Sequence, residues 1–191
     1  GLTTDYGDAT DVAETLVQTR GYDGFSYADI ADELRIRKAS IHYHFPSKGE
    51  LTRAITSRYR AAFNESLSAL EAEYADPTRR LMRYVRLFQD ALREGDHMCL
   101  CGMLASSQGT LPVRVQAEVN GFFAEQATWL SRILRDGRLA GEFRFEGKPE
   151  ATAEALLAGL EGAMLVARSR RDVAHFARIV LRLVGALTAG A

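Results

Sequence analysis

Two short helical segments separated by a turn most constrain the fold of this 191-residue chain. Tyr27–Leu34 has apolar residues at the spacing of an amphipathic helix. Ser26, with Asp29 three residues later, is a capping box that predicts where this helix begins. Residues 35–36 predict a tight turn, and a second helix is predicted over Lys38–His44. This order and spacing predict a helix-turn-helix unit.

Helical periodicity continues through nearly all of the remaining sequence, and the pattern predicts an all-α fold of about nine helices. Ser47 with Glu50, and Asp76 followed by Pro77, predict two further helix starts. The segment 142–146 has a brief strand-like alternation, which we predict to be a loop because glycines flank it. A further helix is predicted from Pro77 to a break at Gly95-Asp96. The other predicted helices are Asp8–Arg20, Ser47–Tyr74, Met98–Ser106, Val113–Asp136, Glu150–Arg168 and Asp172–Thr188.

Charge is distributed unevenly along a chain whose formal net charge is only -1. Residues 1–34 carry one Arg and eight acids, a net charge of -7. Residues 35–60 carry seven Lys or Arg and one acid, a net charge of +6, and residues 61–191 carry sixteen of each sign. A solvated positive face is the ordinary interpretation of such a basic segment. Its position on a helix-turn-helix pattern favours a surface that faces DNA.

The second helix of the pattern has the residue types that a DNA-reading helix needs. Small side chains let its backbone approach base edges, and basic or aromatic side chains beside them can donate to phosphates. We predict that the groove-facing residues are Lys38, Ala39, Ser40, His42 and Tyr43. We predict phosphate contacts from Arg37, His44 and Lys48, the last supported by the N–H groups at the start of the following helix. Tyr43 and Phe45 could instead pack against the first helix, and Phe45 is predicted to do so.

Several other classes of protein are not favoured by the sequence. No apolar run approaches the roughly 20 residues that span a bilayer, and the first nine residues lack a signal-peptide pattern. Cys99 and Cys101 are too close to staple a fold, which favours a reducing, cytoplasmic location. His42 and His44 point apart on a helix, so no metal site is predicted there. No cofactor is expected.

Gly21 to Leu51 resembles the DNA-binding domain of the tetracycline-repressor (TetR/AcrR) family of bacterial regulators. The matching motifs are Gly21-Tyr22, Asp29-Ile30-Ala31, and Ile41 through Lys48 with Glu50-Leu51. Leu160-Glu161-Gly162-Ala163 and Gly141-Glu142-Phe143 are also similar to phrases in several members. The resemblance implies an N-terminal three-helix DNA-binding domain, placed at 1–60, and a C-terminal helical ligand-binding and dimerisation domain at 61–191.

Three positions depart from the pattern of the family. Arg35 stands where Gly usually allows a left-handed turn, so we expect a cost in stability or a shifted turn. Arg37 replaces the usual Ser or Thr cap of the second motif helix. His42 replaces a Tyr, and the aromatic phosphate contact is expected to pass to Tyr43 or to weaken. The segment before the first helix is acidic, so no minor-groove arm is expected.

By the same resemblance, large apolar residues of helices four to eight line an effector cavity. Spacing alone favours the plain core of a helical domain over a cavity at these positions, with Gln126 and His97 as candidate polar anchors if a cavity is present. The candidate ligand-binding residues are Phe63, Phe88, Cys99, Met103, Phe122, Phe123, Gln126, Trp129 and Met164.

Cys99 and Cys101 admit three interpretations. The favoured one is that both thiols fill core space, since unpaired Cys is often buried. The second is a thiol that senses oxidants or electrophiles. The third is a metal site with His97, which ranks last because no further ligand is evident.

Small and aliphatic stripes over residues 150–168 and 172–188 predict a homodimer in which two copies form a four-helix bundle. Two-fold symmetry would then place two reading helices about 34 Å apart, one turn of DNA. The predicted function is a ligand-responsive, sequence-specific transcriptional regulator without enzymatic activity, favouring a repressor that a small-molecule effector releases from a palindromic operator. The alternatives are a thiol-sensing regulator using Cys99 and Cys101, a Cys-nucleophile enzyme, and a helical binding module without DNA specificity.

Overall fold

The computed structural model describes residues 2–188, with side chains described from residue 7 onward. Residue 1 and residues 189–191, at the ends of the two predicted domains, lie outside this range. Within it the chain forms nine α-helices and no strand, which confirms the all-α prediction. The helices are α1 Leu2–Arg20, α2 Tyr27–Leu34, α3 Lys38–His44, α4 Lys48–Glu73, α5 Pro77–Arg93, α6 Leu100–Ala105, α7 Val113–Leu139, α8 Pro149–Arg170 and α9 Val173–Thr188.

Helix starts follow the caps that the sequence predicts. The Ser26 N–H donates to the Asp29 carboxylate at 2.7 Å, and the Ala28 N–H donates to the Ser26 hydroxyl at 3.2 Å. Asp76 accepts from the Arg79 N–H at 2.7 Å, with Pro77 as the first residue of α5. These bonds satisfy amides that have no partner inside the helix, so they fix where each helix begins.

The described residues pack as two compact units. The first contains residues 2–63 and Cys99–Phe122, and the second contains Asn64–Met98 and residues 123–188. In the first unit α1 packs on α2, α3 and α6 around buried apolar residues. Its most buried side chains include Ala13, Val17, Ile30, Ile41, Leu51 and Ile55.

Residues 99–122 therefore pack with the N-terminal helices. The Met103 methyl lies 3.6 Å from the position that a Cβ would take at Gly21. Pro112 lies against Gly49 so closely that a Cβ there would come within 2.8 Å of its ring. The division at residue 60 remains a prediction about function, whereas packing joins a later segment to the N-terminal helices.

In the second unit α8 and α9 pack along each other, and α5 packs on both. Gly159 allows a close approach between α8 and α9, because a Cβ at this position would lie 2.9 Å from a Leu183 methyl. Three large apolar side chains of α8 and α9 are nevertheless exposed to solvent. Leu165, Val166 and Leu181 are 58%, 42% and 63% exposed, and together they are called the pairing face below.

Two helix boundaries differ from the sequence prediction by three residues or more. α1 begins at Leu2, six residues before the predicted start at Asp8. α7 continues through Gly137 to Leu139, although glycine predicted its end. Gly137 is retained inside the helix because the buried ring of Phe143 packs directly on it, and a Cβ would collide with that ring. The predicted loop at 142–146 is a loop, as expected.

Candidate nucleic-acid interface

The turn between α2 and α3 is built on a left-handed arginine. Arg35 has φ 54° and ψ 41°, the backbone conformation that glycine adopts most readily. The Ile36 N–H donates to the Ala31 carbonyl at 3.0 Å and closes the end of α2. The turn is therefore kept despite the substitution, at a conformational cost of about 1–2 kcal/mol.

α3 has one buried side and one exposed side. Ile41 is 1% exposed and Phe45, just after the helix, is 4% exposed, so this side anchors α3 in the core. The opposite side, together with the residue before the helix, is called the reading surface below. It consists of the exposed residues Arg37, Lys38, Ala39, His42 and Tyr43. Ser40 and His44, also predicted to contact DNA, are half-buried at its edges.

An aromatic residue at the start of α2 holds α3 in place. The buried Tyr27 hydroxyl donates to the Phe45 carbonyl at 2.9 Å, and its ring lies 4.5 Å from the His42 ring between centroids. Burial, followed by the nearby Tyr22, raises the pKa of Tyr27 to about 12. The hydroxyl therefore stays protonated and donating at neutral pH.

Lys48 has a structural role that the sequence did not predict. Its ammonium donates to the Phe25 carbonyl at 2.5 Å and lies 4.6 Å and 4.3 Å from the Tyr22 and Phe25 ring centroids. Burial lowers the pKa of this ammonium from its ordinary value. An ammonium has three donors, so a phosphate contact remains compatible with this position and stays a prediction.

Three of the seven cations of the basic segment 35–60 are paired with carboxylates inside the first unit. Arg58 bonds to Asp11 at 2.7 Å and to Glu14 at 2.6 Å. Arg60 pairs with Glu118 at 3.1 Å, and Arg53 lies 3.5 Å from Glu50. The three cations of this segment that have neither an ion pair nor a side-chain hydrogen bond with a described residue are Arg35, Arg37 and Lys38. The available positive charge is thus concentrated on the turn and the reading surface.

The predicted effector-binding residues fall into two groups. Phe63, Cys99, Met103 and Phe122 belong to the first unit, and Phe88, Phe123, Gln126, Trp129 and Met164 belong to the second. In the first group, Phe63 and Phe122 meet edge to face with ring centroids 5.2 Å apart. In the second, Phe88 and Trp129 each have their ring centroid 5.2 Å from that of Tyr84. All nine residues remain candidates. Phe63 and Phe122 belong to an aromatic cluster of the first unit, and Phe88 and Trp129 belong to one of the second.

The two cysteines are core residues. Cys99 is 2% exposed and caps α6, where its sulfur accepts from the Gly102 N–H at 3.4 Å. Cys101 is fully buried, and neither thiol forms a disulfide. Burial makes a thiol poorly accessible to oxidants, so the thiol-sensing alternative is not favoured.

Four contributing residues escaped the sequence prediction: Tyr22, Phe25, Tyr27 and Tyr84. Tyr22, Phe25 and Tyr27 position Lys48 and α3, and Tyr84 links the second aromatic cluster. The sequence signal that could have revealed the first three is the group of aromatic residues around the capping box, at residues 22–27. Within the described range no group of three or more His, Cys, Asp or Glu could hold a metal ion. None of the helices there is long and apolar enough to cross a membrane.

Comparison with known proteins connects this geometry to a family. Residues 9–55 match the model described as "Bacterial regulatory proteins, tetR family", and residues 77–182 match "Tetracyclin repressor-like, C-terminal domain". The chain resembles the crystal structure of a TetR-family transcriptional regulator from Agrobacterium tumefaciens, with a TM-score of 0.95 and 35% identity over 98% of this chain and 100% of that one.

Two curated relatives are similar over most of their length. The transcriptional regulator AcuR of Cereibacter sphaeroides is 28% identical, over 78% of this chain and 69% of its own. The transcriptional repressor DhaR of Mycobacterium sp. is 26% identical, over 84% of this chain and 82% of its own. The chain belongs to the tetR family of bacterial regulatory proteins, and it is a ligand-responsive, DNA-binding transcriptional regulator.

Proposed function

We propose that this regulator is a repressor that reads a palindromic operator through α3. The observation that carries the proposal is the reading surface, where Arg37 and Lys38 have no ion pair with a described residue and Tyr43 is 77% exposed. Exposed, uncompensated cations beside small residues suit a helix that enters the major groove of a polyanion. The relative DhaR is described as a repressor, which supports repression.

We assign the base-facing role to Lys38, Ala39, Ser40, His42 and Tyr43. Arg37, His44 and Lys48 are assigned to phosphates, where they add affinity for every sequence alike. Such a regulator acts by occupying DNA, so we assign no catalysis to it. Its place of action would be the cytoplasm, where a bacterial operator lies.

The proposed active form is a homodimer joined through α8 and α9. The pairing face supports this, since three large apolar side chains at 42–63% exposure gain free energy when a second copy covers them. A two-fold dimer would present two copies of α3 to half-sites about 34 Å apart. Effector binding in the C-terminal part would alter that spacing, with a coupling of about 1–3 kcal/mol.

Selection of binding sites from random double-stranded oligonucleotides tests the proposal. The expected product is a two-fold symmetric sequence whose half-site centres are about 10 base pairs apart. Footprinting on promoter DNA carrying that sequence should protect both half-sites. Selection that enriches no sequence, or only an asymmetric one, would refute an operator-reading dimer.

A further inference from the structure

Gln126 on α7 is a buried polar residue whose amide group makes no hydrogen bond to the residues packed around it. It is 0% exposed, and within the described part of the chain neither its amide oxygen nor its amide nitrogen has a hydrogen-bond partner. A carboxamide has two N–H donors and one carbonyl acceptor. Native proteins rarely leave such a group unsatisfied, so Gln126 points to a bound molecule.

Trp129 adds a second polar group of the same kind. It is 5% exposed, and its indole N–H also has no acceptor among the described residues. Residues three apart on a helix are neighbours on one face, so Gln126 and Trp129 lie side by side on α7. Two adjacent buried residues thus offer three N–H donors and one acceptor to the same region.

Aromatic rings supply an apolar wall beside these groups. Tyr84 on α5 stacks on Trp129 with ring centroids 5.2 Å apart and planes inclined by 25°. Phe88, one turn along α5, meets Tyr84 at 5.2 Å. Flat apolar surface with a few convergent polar groups is the usual composition of a small-molecule site.

The charge of the ligand follows from the buried residues of this unit. Among its described residues no Asp, Glu, Lys, Arg or His is fully buried, and Gln126 is the one buried amide. The charged side chains beside Trp129 are solvent-accessible and already engaged, since Arg132 pairs with Glu71 and Glu125 accepts from the Asn64 amide. A charged ligand buried beside Gln126 would therefore lack a free counter-ion, which makes its burial unfavourable. The excess of donors favours a ligand rich in acceptors.

We propose that Gln126 and Trp129 are the polar anchors of the effector site, and that the effector is a small neutral carbonyl compound. Its carbonyl oxygen accepts from the Gln126 amide and the Trp129 indole, while Tyr84 and Phe88 contact its apolar part. A carboxamide is the fullest complement, because its own N–H returns a bond to the Gln126 oxygen. This assignment rests on the proposed function, which requires an effector site in the C-terminal part.

Benzamide, benzoate and ethylbenzene test the ligand class with the purified full-length protein and no DNA. Trp129 is the single tryptophan of the chain, so its fluorescence reports binding at the site itself. We expect benzamide to bind at least about tenfold more tightly than either analogue, the difference of one or two buried hydrogen bonds. Failure of benzamide to bind, or binding of benzoate or ethylbenzene with equal affinity, overturns the proposal.

The variant Gln126→Leu separates a ligand anchor from a structural residue. We expect its melting temperature to rise by about 2–6 °C, because an unsatisfied amide is replaced by an apolar group of similar size. Benzamide affinity should fall at least about tenfold. Gln89→Leu, the same change at a half-buried position of α5, should leave benzamide affinity unchanged.

A lower melting temperature for Gln126→Leu would mean that the amide is satisfied within the protein, and the proposal would fail. Operator binding of the wild type is measured separately. If the wild type binds benzamide but no operator, the DNA-binding proposal fails while the ligand site stands. If the wild type binds an operator but not benzamide, the ligand-site proposal fails while the DNA-binding proposal stands.

Discussion

The reading surface and the pairing face are both exposed, but the first lacks partners for its charges and the second lacks cover for its apolar side chains. The first has uncompensated cations around Lys38 and an aromatic ring, Tyr43, that is 77% exposed. The second exposes aliphatic side chains such as Leu165 and Leu181. Exposed charges are hydrated, so they cost the folded protein little free energy while no DNA is bound. Exposed leucines, in contrast, gain free energy as soon as a second surface covers them. The pairing face should therefore be occupied before the reading surface is.

This difference predicts the largest effect for a charge placed on the pairing face. Leu165→Glu would bury a carboxylate without a partner twice in each symmetric dimer, so we expect monomers in analytical ultracentrifugation. Operator affinity should fall by about 10²–10⁴-fold, because the two reading helices no longer bind as one molecule.

Leu139→Glu is the matched control for that experiment. Leu139 is 82% exposed at the end of α7, outside the pairing face, and the same substitution there should leave a dimer with unchanged operator affinity. A dimeric Leu165→Glu protein would show that a different surface joins the two copies.

A smaller effect is expected from removing one side chain of the reading surface. Tyr43→Ala removes a ring that packs little, so the free energy of unfolding should change by less than about 0.5 kcal/mol. Operator affinity should fall roughly tenfold for each protomer, as expected for the loss of one contact to a base edge. Fluorescence anisotropy with labelled operator DNA measures this loss.

Val113→Ala provides the comparison for Tyr43→Ala within the same unit. Val113 is 78% exposed, almost the same as Tyr43, and lies outside the reading surface. Its replacement should alter neither stability nor operator affinity. Equal affinity losses in both variants would indicate that exposure, rather than position on α3, determines the effect.

Lys48 tests whether a cation at the edge of the reading surface also contacts phosphate. Lys48→Ala should weaken binding to all DNA sequences several-fold and reduce the salt-dependence slope by about one for each protomer. It should also destabilise the fold, since the Phe25 carbonyl loses its donor at 2.5 Å.

Lys48→Met distinguishes these two roles. The methionine side chain keeps apolar contact with the Tyr22 and Phe25 rings but carries no charge, so more of the stability should remain while the salt slope still falls. An unchanged slope in both variants would restrict Lys48 to its structural role.

The sequence predicted the elements that local chemistry determines. The caps at Ser26 and Asp76 depend on residues three positions away, and both form as expected. α3 has the predicted bounds because its buried Ile41 and the turn before it are readable from spacing. Gly137 misled the prediction of the end of α7, since the distant ring that requires a glycine there is not visible in a local pattern.

Long-range packing explains what could not be predicted of the site. The acids that neutralise Arg58 lie 44 and 47 residues earlier in the chain, so the segment 35–60 seemed more basic than its surface is. Nothing near residue 103 indicates that Met103 packs by Gly21, and it was grouped with Trp129 by size alone. Composition can nominate apolar residues for a cavity, but only packing decides which of them share one.

The smallest effect is expected at two arginines whose backbone is left-handed, one in each unit. Arg35 ends α2 with φ 54° and Arg171 ends α8 with φ 51°, and each is followed by an N–H that donates to a helix carbonyl at 3.0 Å. Glycine removes the strain but gains freedom in the unfolded chain, so each Arg→Gly change should stabilise by about 0.5–1 kcal/mol. Urea unfolding measures this gain as a higher midpoint, with an unchanged slope of unfolding free energy against urea concentration.

Only Arg35→Gly should weaken binding to all DNA sequences, because its cation adjoins the reading surface. If Arg171→Gly weakens binding equally, the cations of the turn contribute through overall charge rather than through contact with DNA.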